Sequence, residues 1–173
     1  MKPGKNNSLK AKKPLVAKTA LKANVKPKKQ PKPTVTKVKK QAIMWFNRAV
    51  KYRDSEPVEG QLLFICITCP RRILFRDRDG KFNRAAHAGH FQPHHKENTR
   101  FNECNVNGQC ATCNYNQGEQ YRYSKELDLK YGLGTADELV KLAKVNKQWT
   151  VKELQDIAEE YKEQCIWYEA QIA

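Results

Sequence analysis

The sequence predicts an α+β fold: a small core of strands and a helix, flanked by an N-terminal helix and by C-terminal helices and preceded by a basic arm. Apolar residues recur at helical spacing on both sides of the core, and residues 1–40 differ in composition from the rest. In the core itself, two C-x-x-C units, Cys66–Cys69 and Cys110–Cys113, stand forty residues apart. Each unit presents two thiolates, and two such units complete a tetrahedral site for one structural zinc ion per chain. The alternatives are core thiols without metal or a redox pair.

The positive charge is concentrated in the N-terminal arm. The chain carries a net charge of +15, and residues 1–40 contain fourteen lysines with neither arginine nor any acidic residue. Because this segment has no aromatic residue, it cannot bury enough apolar surface to offset the entropy of ordering. We therefore predict that residues 1–38 form a disordered arm rich in Lys, Pro and Ala, and that residues 39–173 form the folded domain. Lysines such as Lys28 and Lys29 would attract the phosphates of nucleic acid, or the arm only confers solubility.

The composition argues against membrane and secreted proteins. No apolar run approaches the roughly 20 residues that a membrane-spanning helix needs, and no apolar stretch follows the basic start as in a secretory signal. The expected location is therefore the cytoplasm, with no membrane partner. In that reducing compartment, paired cysteines bind metal rather than form disulfides.

The first predicted elements are one helix and three strands. Apolar residues at helical spacing predict a helix over Lys39–Arg53, ended by Asp54–Pro57. Gln61–Ile65 has the character of a short apolar strand that leads into the first cysteine unit. After that unit, Arg72–Arg76 and Lys81–Asn83 predict two strands joined by a tight Asp-Gly turn.

Arginines surround this predicted hairpin and form either a phosphate-binding surface or merely a solvated one. They are Arg71, Arg72, Arg76, Arg78 and Arg84. Arg100, further along the chain, is another candidate phosphate contact, with packing at a helix end as the alternative.

The segment between the hairpin and the second cysteine unit carries the histidines. A strand over residues 86–91 delivers His90, and a polar loop over residues 92–104 carries His94 and His95. We interpret the two loop histidines as solvated residues, with a role in DNA or metal binding as the alternative. For His90, the alternative to a catalytic base is a hydrogen-bonded strand histidine.

Three helices are predicted after the second cysteine unit. The first covers about residues 111–131, and C-terminal helices occupy about residues 132–173. These begin at two capping boxes, Thr135–Glu138 and Thr150–Glu153, in which the Thr and Glu side chains satisfy the first backbone amides. The helix that starts at the first box is predicted to end near Asn146.

An apolar stripe runs along the last predicted helix. Its members are Leu154, Ile157, Ala158, Tyr161, Cys165, Tyr168 and Ile172. We interpret the stripe as core packing. The alternative is a homodimer interface, because a terminal helix with exposed aromatic residues suits one.

His90, Asn105 and Asn114 supply the parts of a site that hydrolyses phosphodiesters. Such hydrolysis requires an activated water, neutralisation of the phosphate charge and stabilisation of the leaving oxygen. One imidazole can act as the base, and one divalent cation can perform the other two tasks. Because four thiolates leave no position for water at zinc, this cation, Mg²⁺ or Mn²⁺, would be a second ion bound by other ligands.

The order His90, Asn105, Asn114 on the four-cysteine frame resembles the HNH, or ββα-metal, endonuclease family. The resemblance implies a small zinc-stabilised ββα core. In that family the histidine is the general base, the middle asparagine orients it, and the last His or Asn holds the catalytic ion. The resemblance therefore assigns these roles to His90, Asn105 and Asn114 respectively.

Five blocks, in the same order, resemble the NinG/Rap recombination proteins of lambdoid phages. The blocks are Phe46–Asp54, Ala88–Phe91, Arg100–Val106, Gln109–Asn114 and Trp149–Leu154. This resemblance implies a structure-specific endonuclease that acts on branched double-stranded DNA, namely Holliday junctions and D-loops, in the host cytoplasm. Resolving a junction takes two symmetry-related nicks, which predicts a homodimer.

The sequence departs from these families at two positions. Gly89 stands where many HNH proteins carry an acid, and His87 stands where the phage family carries one. His87 is therefore a candidate ligand of the catalytic ion beside Asn114, and an imidazole suits Mn²⁺ better than Mg²⁺. The alternative function is a non-catalytic, zinc-stabilised DNA-binding accessory protein in recombination, in which the arm and the arginines make the contacts.

Overall fold

The computed structural model describes residues 33–115 and 119–172. Most of the predicted disordered arm, with Lys28 and Lys29, lies outside the described residues. Helix α1 spans Val35–Arg53 and thus begins four residues before the predicted start. The last residues assigned to the arm are therefore helical.

The early start of α1 has a local cause and a tertiary one. Thr34 caps the helix, its hydroxyl oxygen accepting a hydrogen bond from the Lys37 backbone nitrogen at 3.4 Å. Val38 is only 2% exposed and packs in one cluster with Leu154 of the last helix, α5, which spans Val151–Ile172. Burial of Val38 thus stabilises the first turn of α1, which the apolar pattern of the sequence does not predict.

Helices α1 and α5 pack along each other and form one side of the core. The rings of Phe46 and Tyr161 meet edge to face with centroids 4.7 Å apart. Further along, the Tyr52 hydroxyl donates to a Glu169 carboxylate oxygen at 2.6 Å. Since the contacts run in the same order along both helices, the two helices are parallel.

The apolar stripe of α5 faces α1 and the core. Its buried or partly buried members are Leu154, Ile157, Ala158, Tyr161, Cys165 and Tyr168. Ile172, at the end of the helix, is 48% exposed. The core-packing interpretation is confirmed for these residues, and a homodimer stays a prediction.

A three-stranded antiparallel sheet follows α1. Its strands are β1 (Ser55–Val58), β2 (Gln61–Ile65) and β3 (Arg72–Leu74), in that spatial order. Strand β1 includes residues of Asp54–Pro57, the segment that was predicted only to end the first helix. It is an edge strand, where a proline costs no ladder hydrogen bond.

The predicted hairpin after the first cysteine unit is only partly formed. The Asp-Gly turn is present: Asp77 Oδ1 accepts from the backbone nitrogens of Asp79 and Lys81, and Gly80 has φ 73°. Instead of a second strand over Lys81–Asn83, however, the chain forms a single bridge between Arg76 and Phe82. The prediction of that strand is wrong.

A second, two-stranded sheet carries the candidate site. Strands β4 (Ala86–His90) and β5 (Val106–Cys110) are antiparallel, and α2 (Ala111–Tyr115) follows β5 directly. The pairing of His90 with Val106 brings the end of β4 beside the start of β5. The predicted strand that delivers His90 is confirmed.

The remaining helices are shorter than predicted. The helix expected over residues 111–131 is represented by α2 and by α3 (Gln120–Tyr131), which lie on either side of residues outside the described part. Helix α4 spans Thr135–Leu142 and ends before Asn146. Both α3 and α4 pack through Tyr123, Leu127 and Leu139 on Phe91, which follows β4.

The predicted capping boxes differ in outcome. At α5, Thr150 and Glu153 hydrogen-bond each other's backbone nitrogens, at 3.2 and 2.8 Å, so the box is confirmed. At α4, the N-cap is Gly134, and the Thr135 hydroxyl donates to the Gly132 carbonyl at 2.7 Å. The first predicted box is therefore wrong.

Within the described residues, no helix has both the length and the apolar character needed to cross a membrane.

Candidate functional site

Four cysteine sulfur atoms form one cluster. The Sγ atoms of Cys66, Cys69, Cys110 and Cys113 all lie within 4.8 Å of one another. Those of Cys69 and Cys110 are 3.8 Å apart, about the edge of a tetrahedron built from zinc–sulfur bonds of about 2.3 Å. The first pair follows β2, and the second pair stands at the end of β5 and in α2. The cluster fits a metal ion such as zinc, and it ties the two sheets together.

The thiols of the cluster need a cation to ionise together. Burial raises the pKa of Cys69 to about 12 and also raises the pKa of Cys113. Burial opposes the Cys66 thiolate as well, but hydrogen bonds from Thr68 and from backbone amides lower the pKa of Cys66 to about 7. Only a bound cation offsets the repulsion of four adjacent thiolates.

His90 borders a cavity at the end of β4. The cavity has a volume of about 430 Å³, and Gln109, Asn114 and Gln120 also line it. Burial, followed by the charge of Arg100, lowers the pKa of His90 to about 4. The imidazole is therefore neutral at physiological pH, which is the protonation state that a general base requires.

Asn105 fixes the backbone that follows His90. It is fully buried, and its side-chain oxygen accepts from the Gln92 nitrogen at 2.7 Å. Its side-chain nitrogen donates to the carbonyls of Gln92 and Thr99 at 3.1 and 3.0 Å. Among the described residues it makes no hydrogen bond to the His90 ring, so its geometry suits positioning through the loop rather than through the imidazole.

Asn114 and His87 lie side by side. The Asn114 side-chain nitrogen is 3.0 Å from Nδ1 of His87, and Nε2 of His87 is 2.9 Å from the Arg84 carbonyl. Since a carbonyl only accepts, Nε2 carries the proton and Nδ1 keeps its lone pair. Rotation of the Asn114 amide would place an oxygen beside that lone pair. Such an oxygen–nitrogen pair can ligate a divalent ion and suits Mn²⁺ better than Mg²⁺.

Gln109 occupies the space beside Gly89. A Cβ on Gly89 would lie 2.0 Å from Gln109 Oε1. Gln109 is 4% exposed, and its side-chain nitrogen donates to the Thr68 hydroxyl, which lies 3.4 Å from the Cys66 sulfur. Gln109 thus links the cavity to the cysteine cluster, and it accounts for the absence of a side chain at residue 89. Sequence reasoning missed this residue.

Two of the candidate arginines hydrogen-bond to groups of the fold, although Arg71 is exposed. Arg71 donates to the Thr112 hydroxyl at 2.7 Å and approaches the Cys110 sulfur at 3.9 Å. Arg100 donates to the His94 carbonyl, and its side chain is 14% exposed. These two guanidinium groups support the cysteine cluster and the loop.

The remaining candidate arginines, like Arg71, are exposed. Arg72 pairs with Glu56 at 3.0 Å, and Arg76 stacks on Phe82 with 4.8 Å to the ring centroid. Arg78 and Arg84 are exposed.

The two loop histidines are exposed, as predicted. Of the two, His94 approaches the candidate site, with its ring centroid 6.4 Å from that of His90. Neither His94 nor His95 is among the residues that line the His90 cavity.

A buried polar network behind the site was also not predicted. Asn107 is fully buried, and its side-chain oxygen accepts from Tyr131, Lys130 and Arg53 at 2.7, 3.0 and 3.2 Å. Asp54 pairs with Arg53 and Lys130 at 2.8 and 2.7 Å. The network joins α1, β5 and α3. No local sequence signal reveals it, because its members meet only in the tertiary structure.

A family model described as the bacteriophage lambda NinG protein matches residues 2–169, almost the whole chain. No curated protein and no solved structure matches the chain.

Proposed function

Because the chain belongs to the family of the bacteriophage lambda NinG protein, which indicates a recombination-related phage protein, we propose that it is a structure-specific endodeoxyribonuclease. Its substrates would be branched double-stranded DNA, namely Holliday junctions and D-loops. It would hydrolyse a phosphodiester with His90 as the general base and a divalent ion, Mg²⁺ or Mn²⁺, as the cofactor. The core around β4, β5 and α2 would be of the HNH type.

One observation carries this proposal: His90 and Asn114 line the same cavity, and Asn114 contacts His87. The candidate base, His90, stands at the end of β4. The two candidate metal ligands stand in α2 (Asn114) and further back on β4 (His87). A DNA-binding module without catalysis has no need for a neutral, half-buried histidine at this position.

His90 would accept a proton from the attacking water. Its imidazole is neutral because burial and Arg100 lower its pKa. Asn105 would hold the backbone after His90 and thereby keep the ring in place. The leaving oxygen departs opposite the water in an in-line displacement, and the phosphodiester bond breaks as the new phosphorus–oxygen bond forms.

Asn114 and His87 would hold the catalytic ion, with the donor atoms described above. When bound, that ion supplies charge neutralisation on the phosphate and stabilisation of the leaving oxygen. The zinc at the cysteine cluster would be purely structural, because four thiolates leave no position for a water.

A metal titration tests the proposal. Labelled four-way junction and linear duplex of equal length are incubated with increasing Mg²⁺ or Mn²⁺, and nicked products are resolved by gel electrophoresis. We expect cleavage of the junction, stronger with Mn²⁺. His90→Ala should abolish cleavage and leave junction binding nearly unchanged, because a base acts in the transition state.

The matched control is His95→Ala, which removes an exposed histidine of the loop. It should cleave like the wild type. Junction binding without cleavage at any metal concentration would overturn the nuclease proposal and favour a non-catalytic DNA-binding protein. Wild-type cleavage by His90→Ala would overturn the assignment of the base.

A further inference from the structure

We propose that the groove beside His87 is a binding subsite for a backbone phosphate of DNA, with Lys51 as its principal cation. The inference rests on the proposed function, since that function makes DNA the ligand. It adds a substrate contact on α1, an element outside the strand, the loop and the helix that carry the candidate catalytic residues.

The groove lies between α1, the segment that follows the Asp-Gly turn, and β4. It has a volume of about 410 Å³. Its polar lining residues are Asn47, Lys51, Asn83, Arg84 and His87. Two of these are cations, and none of the described residues that line the groove is Asp or Glu. The lining thus offers donors and positive charge, which an anion requires.

Lys51 has no anionic partner in the described part of the chain. It is half-buried, yet no described carboxylate lies within the 4.0 Å of an ion pair, whereas Lys39, Lys130 and Lys147 each have one. An ammonium group that is partly withdrawn from water without a partner destabilises the fold. A phosphate oxygen would supply the missing partner.

Arg48 adds to the positive potential at Lys51. Its guanidinium lies between the rings of Trp45 and Phe82, at 4.9 and 4.7 Å from their centroids. Burial, followed by the charge of Arg48, lowers the pKa of Lys51. Arg48 and Lys51 stand three residues apart on α1 and so share one side of the helix. Two neighbouring cations favour the binding of an anion between or beside them.

The groove adjoins the candidate catalytic cavity. His87 lines the groove, and its Nδ1 lies 3.0 Å from the side chain of Asn114, which lines the cavity of His90. A DNA strand with one phosphate at Lys51 would therefore run past His87 and present a neighbouring phosphate to the cavity. In this arrangement Lys51 sets the register of the strand relative to His90.

The test measures DNA binding without cleavage. Lys51→Gln, Lys51→Arg and wild-type protein are titrated against labelled four-way junction and linear duplex without added Mg²⁺ or Mn²⁺, over a range of salt concentrations. Zinc content is checked for each protein, so that loss of the structural ion is not read as loss of contact. The matched control is Lys162→Gln, an exposed lysine on α5 outside the groove.

We expect Lys51→Gln to bind both DNAs roughly fivefold to tenfold more weakly at about 0.1 M salt, and the log–log salt slope to fall by about one. Lys51→Arg should retain most of the affinity, and Lys162→Gln should bind like the wild type. The melting temperature of Lys51→Gln should stay equal or rise, because an unpaired charge is removed. A purely structural lysine would lower it.

Wild-type affinity and salt slope in Lys51→Gln would overturn the subsite. So would an equal loss in Lys162→Gln. These outcomes are independent of catalysis, because no Mg²⁺ or Mn²⁺ is added. Weakened binding by Lys51→Gln together with no cleavage by any variant would leave the subsite standing and overturn only the nuclease.

Discussion

At the scale of single residues, Gly89 on β4 and Gly108 on β5 each leave no room for a Cβ, but the atoms that occupy the space differ. A Cβ on Gly89 would meet the end of the Gln109 side chain at 2.0 Å. A Cβ on Gly108 would meet the Ile65 carbonyl oxygen at 2.7 Å and the Phe64 ring at 2.9 Å. A side chain can rotate away, but a strand backbone and a fully buried ring cannot.

We predict that Gly89→Ala costs about 1–2 kcal/mol of unfolding free energy, and that most of this cost disappears in a Gln109→Ala background. Gly108→Ala should cost about 2–3 kcal/mol in either background, because its obstacles remain. Urea unfolding of the two double-mutant cycles, with zinc present, measures both coupling energies. If the effects of Gly89→Ala and Gln109→Ala simply add, the Gln109 side chain is not what excludes a Cβ at residue 89.

His90 should also make stability depend on pH. Its folded pKa is about 4, whereas an unfolded histidine titrates near 6.5. The unfolded state therefore binds a proton first, and the stability that neutral His90 contributes is present above pH 6.5 and lost as the pH falls towards 4. Between pH 7 and pH 5 the loss should be about 2 kcal/mol.

The measurement compares wild type with His90→Gln, with zinc content checked at each pH, so that acid effects common to both proteins cancel. Between pH 7 and pH 5, the unfolding free energy of the wild type should fall by about 2 kcal/mol relative to that of His90→Gln. Curves that stay parallel from pH 7 to pH 5 would show that His90 is not desolvated.

Local spacing explains why some site residues were predictable. The four cysteines follow a fixed motif, and their sulfur atoms meet as expected. By contrast, the partners of Asn105 and Gln109 come from a loop and from the neighbouring strand. The contacts of both residues depend on the tertiary structure. The sequence therefore identified Asn105 as a candidate but not its hydrogen bonds, and it did not identify Gln109.

At the scale of elements, two Thr-x-x-Glu sequences show how context decides a cap. Thr150 and Glu153 exchange hydrogen bonds at the start of α5. Before α4, Gly134 has φ 90° and takes the capping position itself. The Thr135 hydroxyl is already bonded to a preceding carbonyl.

We predict that Thr150→Ala lowers the unfolding free energy by about 1 kcal/mol. Thr135→Ala should cost less than half as much, because it removes no cap. Thermal or urea unfolding of both variants checks the difference. An equal loss in both would contradict the assignment of the caps.

The first sheet shows a second limit of sequence patterns. Strand β1 pairs with β2 through a two-residue turn, Glu59-Gly60, with φ 49° and 75°. Positive φ at both central residues is usually signalled by Asn-Gly or Asp-Gly. Here Glu59 adopts the positive φ, so the turn has no such signal. Pro57 is also a residue type that strands disfavour.

At the scale of the whole molecule, the cysteine cluster joins the turn after β2 to the end of β5 and to α2. Each sheet is small, and a two-stranded sheet is only marginally stable alone. Metal binding should therefore be coupled to folding of this region.

We predict one zinc ion per chain by metal analysis. Cys110→Ser, or extraction with a strong chelator, should lower the melting temperature and abolish cooperative unfolding of the region around the site. The control is Cys104→Ser, which removes a cysteine outside the cluster and should keep the metal. A chain without zinc, or an unchanged melting temperature in Cys110→Ser, would contradict the prediction.

The pairing of α1 with α5 has a consequence for synthesis on the ribosome. Tyr52 meets Glu169 across 117 residues of sequence, and the Trp45 carbonyl meets Cys165 across 120. The apolar residues of α1 that pack on α5 are synthesised early and remain uncovered until α5 has left the exit tunnel. During that interval the strands between the cysteine units can already close around a metal ion, since their contacts are nearer in sequence. A chain truncated before α5 would leave these α1 residues exposed, and chaperones and proteases would recognise them.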